Sequence, residues 1–121
     1  MSAGHTVTTR PSTAHVEVRV DGQLVASSDR ALELDETGLP TRYYLPRDDV
    51  RMELLTRTEL HTTCPFKGEA SYWSIEVSGA RLDDVVWSYE TPIDEVSEIA
   101  EHLSFYPNRV ELTVDGSPVA R

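Results

Sequence analysis

Short alternating strands, punctuated by tight-turn dipeptides, constrain this chain more than any other feature. Val16, Val18 and Val20 alternate with Glu17 and Arg19, and Asp21-Gly22 follows at once. Successive strand side chains point to opposite faces, so the pattern describes a half-buried strand. Asp-Gly is a favoured pair for a type I′ hairpin turn, and Leu24, Val25 and Ala26 supply a return strand. A hairpin over about 15–27 is expected. A second hairpin is expected where Tyr72–Val77 meets Leu82–Tyr89 across Ser78-Gly79, held in register by aromatic and β-branched cross-strand pairs. Arg109–Val114 alternates again and runs into Asp115-Gly116.

The first and last of these segments echo one another. Val16-Glu17, Val20-Asp21-Gly22 and Val25-Ala26 match Val110-Glu111, Val114-Asp115-Gly116 and Val119-Ala120 at a constant offset of 94 residues. A duplicated module is one reading. Convergence of strands that end in Asp-Gly turns is the other, because nothing between the copies repeats. In both readings the copies pair or lie side by side near the termini.

Between the hairpins the signals are shorter. Ser28–Leu34 reads as extended and Asp35–Pro40 as a loop. Arg42–Leu45 reads as a strand with one of Tyr43 and Tyr44 facing inward. Pro46 opens a helical turn over Arg47–Asp49, and the Val50, Met52, Leu54 alternation predicts a strand over 50–56. Thr91 as N-cap, Pro92 at the first helical position and an apolar stripe of Ile93, Val96, Ile99, Ala100 and Leu103 predict one helix over about 92–103. Residues 1–14, polar and rich in Ser, Thr and His, read as a mobile lead-in, with a single β domain over 15–121.

Composition then removes whole classes of function. The chain has 121 residues and a net charge of −10, with 21 acidic against 11 basic residues. That balance opposes a nucleic-acid backbone binder and an anionic membrane surface. A single cysteine excludes an internal disulfide and any multi-cysteine metal centre. No signal-peptide pattern and no apolar run of membrane-spanning length is seen, so a cytoplasmic location is expected.

One stretch concentrates reactive side chains: Arg57–Trp73 holds the only cysteine, Cys64, the only lysine, Lys67, and His61. Pro65 and Gly68 oppose a helix there, and Thr62-Thr63 favour extended backbone, so a strand running into a loop is expected. Cys64 and His61 suit a nucleophile and general base, and Lys67 suits thiol activation or anion binding. The plainer reading is an inert buried Cys64 and a surface Lys67. His61 and Cys64 are too few for a zinc site, and His5, His15 and His102 lie elsewhere, so no metal is expected. Tyr44, Arg57, Tyr72, Trp73, Trp87 and Tyr89 are further pocket candidates, though aromatics in a β domain more often serve the core. Asp48-Asp49 and Asp83-Asp84 are adjacent acids that point apart in a strand, which disfavours paired-carboxylate chemistry.

The run YYLPRDDVRMELLTRTELHTTCPFKGEASYWSIEV over 43–77 resembles the DUF427 family, small proteins of unknown function filed under a nucleotidyltransferase-like name. Val86-Trp87-Ser88-Tyr89 and Phe105–Val110 extend the resemblance, which covers the chain from about residue 15 onward. It implies a mainly β, mostly antiparallel β-tent (Mss4-like) fold with one short helix and a groove between two sheets. Several tent-fold relatives hold zinc with paired cysteines, which this sequence lacks, so that role does not carry over and no cofactor is expected. The resemblance marks His61, Cys64 and Lys67 as hallmark polar residues, flanked by Tyr44 and Trp73. No paired-aspartate or phosphate-loop motif supports a nucleotidyltransferase activity. Three functions follow in order: binding of a small polar or anionic molecule, an enzyme using Cys64 as nucleophile or His61 as base, and a structural or protein-interaction module.

Overall fold

The computed structural model describes residues 4–119, in which eleven strands pair antiparallel in three sheets. In chain order they are β1 (Val7–Pro11), β2 (Val16–Val20), β3 (Gln23–Ser28), β4 (Leu32–Glu36) and β5 (Arg42–Tyr44). There follow β6 (Leu55–Cys64), β7 (Gly68–Val77), β8 (Ala80–Ser88), β9 (Ser104–Phe105), β10 (Glu111–Val114) and β11 (Ser117–Pro118). The sheets have the orders β1-β4-β5, β11-β10-β2-β3 and β6-β7-β8-β9.

The two Asp-Gly hairpins form as their sequences dictate. Asp21 and Asp115 both have φ of 50°, followed by Gly22 at 79° and Gly116 at 82°, the positive angles a type I′ turn requires. Their inner strands pair with each other, Val18 opposite Leu112 and Glu17 opposite Thr113. Positions 18 and 112 are themselves equivalent in the 94-residue echo, so a local two-fold axis passes through that pair. Ala120, the last residue of the echo, lies outside the described residues.

The long sheet β6-β7-β8-β9 is buried on both faces, because neighbouring residues on one strand enter different cores. Tyr72 pairs with Trp87 and Trp73 with Val86. Trp73, Ile75, Val77 and Val86 join Val16, Val18, Val25 and Leu112 beneath the two-hairpin sheet. Ala70, Tyr72, Trp87 and Tyr89 join Leu34 and Tyr44 beneath the β1-β4-β5 sheet. Leu45 and Leu103 exchange backbone hydrogen bonds at 2.8 Å and tie β5 to the end of the long sheet.

Four local expectations change. The helix predicted over 92–103 is a 3-10 helix, Asp94–Ile99, with a kink at Val96. Ile93, Val96 and Ile99 recur every three residues, the period of a 3-10 turn rather than of a continuing α-helix. Thr91 does not cap it; the residue preceding the helix is Ile93, with no side-chain cap bond. The strand predicted over 50–56 starts only at Leu55; Val50 bridges to Ala26, and Met52–Leu54 forms a 3-10 turn. The loop predicted over 35–40 starts after β4 has run on to Glu36. Finally, Val7–Pro11, within the predicted lead-in, pairs along β4 from Val7 opposite Glu36 to Pro11 opposite Leu32. This edge strand exposes much of both its faces, so it lacks the apolar alternation that reveals a half-buried strand. Residues 1–3 of the predicted lead-in lie outside the described residues.

Candidate functional site

The β6–β7 hairpin turn carries Lys67 inward. Pro65 occupies the second position of the turn, where its fixed φ is favoured, and the Lys67 N–H donates to the Cys64 carbonyl at 3.1 Å. Gly68 follows at φ 119°, and a Cβ there would stand 3.4 Å from Pro92 Cα. The turn therefore docks closely on 91–93, where the Ile93 N–H donates to the Lys67 carbonyl at 3.0 Å. Any side chain at position 68 strains the backbone and crowds that seam.

The only lysine of the chain is thus 8% exposed. Its ammonium pairs with the Glu36 carboxylate at the end of β4, also buried. A buried cation with no counter-charge is costly, and Glu36 answers that requirement. His5 Nε2 lies 3.1 Å from the other Glu36 oxygen, and the His5 ring stacks on Phe66 at 3.9 Å. Burial pushes the Glu36 carboxyl upward, but the Lys67 hydrogen bond and charge, with a contribution from His5, outweigh it and hold the group below its ordinary value.

Lys67 and Glu36 belong to the wall of a cavity of about 160 Å³ between the β1-β4-β5 sheet and the long sheet. Tyr44, Tyr72, Trp87, Tyr89 and Tyr106 supply aromatic wall, while Leu39 and Pro40 belong to the loop that borders it. The Trp87 indole N–H donates to the Tyr44 hydroxyl at 3.0 Å, and Tyr72 and Thr62 share a hydrogen bond of 2.9 Å. Burial raises Tyr44 and Tyr89 far above the usual phenol range. It pushes Tyr106, with the Tyr72 phenol beside it, up to about 12. These three hydroxyls therefore stay protonated at neutral pH, as neutral donors. Arg42, on β5, completes the wall, its guanidinium 5.5 Å from the Trp87 ring centre and 5.8 Å from that of Tyr106.

Of the six ligand candidates read from the sequence, Tyr44 and Lys67 line this cavity. Cys64 is half-buried and packs against the same aromatic cluster without lining the cavity. His61 is exposed, opposite Ser71. A spacing of three in a strand puts His61 and Cys64 on opposite sheet faces, so β6 does not assemble them as nucleophile and base. Arg57 is engaged elsewhere: it donates to both Glu90 oxygens at 2.8 and 3.1 Å and to Ser71 at 2.9 Å. Trp73 belongs to the opposite core. Glu36, Arg42 and Tyr106 are the polar wall residues that sequence reasoning passed over, with Leu34, Leu39 and Pro40 the apolar ones. The uniqueness of the lysine drew notice to Lys67, but nothing in the sequence showed that it is buried or which of 21 carboxylates pairs with it.

A larger hollow of about 300 Å³ lies at the surface among Arg19, Asp21, Arg109 and Glu111, where opposite charges alternate. Among the described residues no three His, Cys, Asp or Glu side chains gather as a metal site, and no helix is long and apolar enough to cross a membrane.

Fold and site together define a small, mainly antiparallel β protein with an aromatic recess between two sheets. A family model matches residues 8–116, and the chain belongs to that family, described as a domain of unknown function (DUF427). No curated protein matches the chain.

Proposed function

We propose that this protein binds a small polar molecule in the cavity between the β1-β4-β5 sheet and the long sheet. One observation carries the reading: the only lysine is buried in the wall of a cavity, fixed by a buried carboxylate. A protein that needs a cation only for its surface has no reason to hold it there. An aromatic cavity with a few convergent polar groups is the usual form of a ligand site. The volume matches the roughly 150 Å³ that admits a benzene-sized molecule, and is small for a nucleoside triphosphate. Catalysis by Cys64 with His61 as base is not favoured, since their strand points them apart. The same reading takes the sheets as a β-tent of the Mss4-like kind, forming a single domain with the recess inside the tent, in a cytoplasmic protein.

The test is an NMR screen of ring-sized fragments against the 15N-labelled protein. Trp87 lines the cavity and Trp73 does not, so the two indole N–H signals report site and background separately. Saturable shifts of the Trp87 indole are expected, and Leu39→Trp, at an exposed position on the cavity border, should abolish them. A blank screen, or shifts equal at both indoles, rejects the reading.

A further inference from the structure

We infer that the occupant of this cavity is a single-ring or similarly small planar monoanion, and that Arg42 receives its charge; this rests on the cavity being a ligand site. The charges of the wall set the sign. Lys67 and Arg42 are positive and Glu36 is negative, leaving one positive charge in excess. Glu36 is already committed to Lys67, whereas Arg42 has no carboxylate within ion-pair reach among the described residues. Nearly every other described arginine has such a partner in a chain with 21 acids; Arg109, exposed at the surface, is the other exception. Arg42 is half-buried against two aromatic rings, and an unmatched charge there is worth more than in water.

Aromatic walls by themselves would suit a cation. Here the chain's own cations take those faces. The Lys67 ammonium lies 6.0 Å from the Tyr89 ring centre, and Arg42 lies over Trp87 and Tyr106. An entering cation would meet two like charges, while a carboxylate would meet the Arg42 fork, which matches its two oxygens. The neutral Tyr44 and Tyr106 hydroxyls, both within reach of the Arg42 charge, are suited to donate to the same anion. The volume of about 160 Å³ and the flat faces of Trp87 and the tyrosines set the ring-sized limit.

Benzoate, benzamide and benzylammonium share a ring and differ in charge, so they separate the possibilities. Each is titrated into the 15N-labelled full chain with the Trp87 indole as readout. Benzoate should shift that signal saturably and bind at least about tenfold more tightly than the other two. Arg42→Gln should remove about that factor and make benzoate and benzamide equivalent, and Arg42→Lys should restore part of it. Benzamide or benzylammonium matching benzoate on the wild-type chain, or benzoate indifferent to Arg42→Gln, overturns the inference and leaves the cavity reading intact. Fragment hits at Trp87 with none of the three probes binding do the same. No response to any fragment or probe overturns both. The wild-type probe series decides charge preference even if the Arg42 variants do not fold.

Discussion

Trp73 and Trp87 stand on opposite faces of the same sheet, each with arginine on its ring. Trp73 has two, Arg47 at 5.4 Å and Arg57 at 5.2 Å, and both reach Glu90. The buried Arg47 Nε and Nη2 have no hydrogen-bond partner among the described residues, so the ring face and Glu90 at 3.5 Å are what they rest on. Trp87 carries Arg42, with no carboxylate, beside a Lys67–Glu36 pair and a cavity. Each group holds two cations and one acid, so excess charge alone does not mark a site. What distinguishes the Trp87 side is that one cation is unmatched and faces open volume. The Trp73 group is closed on itself and fastens the sheet edge.

The comparison is tested most severely by removing each central acid. Glu36→Gln strands a buried ammonium and should cost about 3 kcal/mol in urea denaturation. Glu90 is about one-third exposed, and Glu90→Gln should cost about 1 kcal/mol or less. Equal costs would mean that the two groups are buried alike and that the contrast fails. Next in size is Tyr44→Phe, which leaves the buried Trp87 N–H without its acceptor and should cost about 1–2 kcal/mol by the same measurement.

The pH dependence sharpens the same contrast. Glu36 is depressed in the folded state below its ordinary 4.5, so its contribution is full above that value and is lost as pH falls through the lower folded one. Urea midpoints below about pH 4.5 should therefore fall less steeply in Glu36→Gln than in the wild type. An unchanged acid limb would show that Lys67 does not hold the carboxylate. The smallest effect is reserved for His61→Ala. That side chain is exposed, and its loss should change stability by no more than about 0.5 kcal/mol and leave cavity binding untouched.

How much of this was legible in the sequence depends on how local the cause is. Asp21-Gly22 and Asp115-Gly116 specify their own turns, so those strands could be read directly. Lys67 stood out because it is unique; alternation said only that one of Tyr43 and Tyr44 faces inward, and the family resemblance pointed to Tyr44. Glu36 and Arg42 did not stand out, because their importance arises from contacts made in three dimensions. Glu36 is 31 residues from Lys67, and nothing local distinguishes it from Glu33 or Asp35. The 92–103 stripe misled for a different reason. A spacing of three satisfies both helix types, and Glu101, at φ 61°, turns the chain away before Leu103 joins Leu45. His61, Cys64 and Lys67 looked like one cluster because they are reactive types close together in sequence; on β6 a spacing of three puts His61 and Cys64 on opposite faces, and the turn carries Lys67 inward.

The pairing of β2 with β10 has a consequence for synthesis. The first hairpin to leave the ribosome lacks its neighbour until a segment some 94 residues later follows it, roughly 5–20 s at ordinary elongation rates. For that interval β2 presents an unpaired strand margin, and the apolar face of Val16, Val18 and Val20 has no sheet beneath it until β7 and β8 have been made. Folding is therefore governed by a late closure between distant parts of the chain, and should be slow for a domain of this size. Chains halted before Val110 would retain every residue of the Lys67 recess yet lack the strand that seals the opposite core.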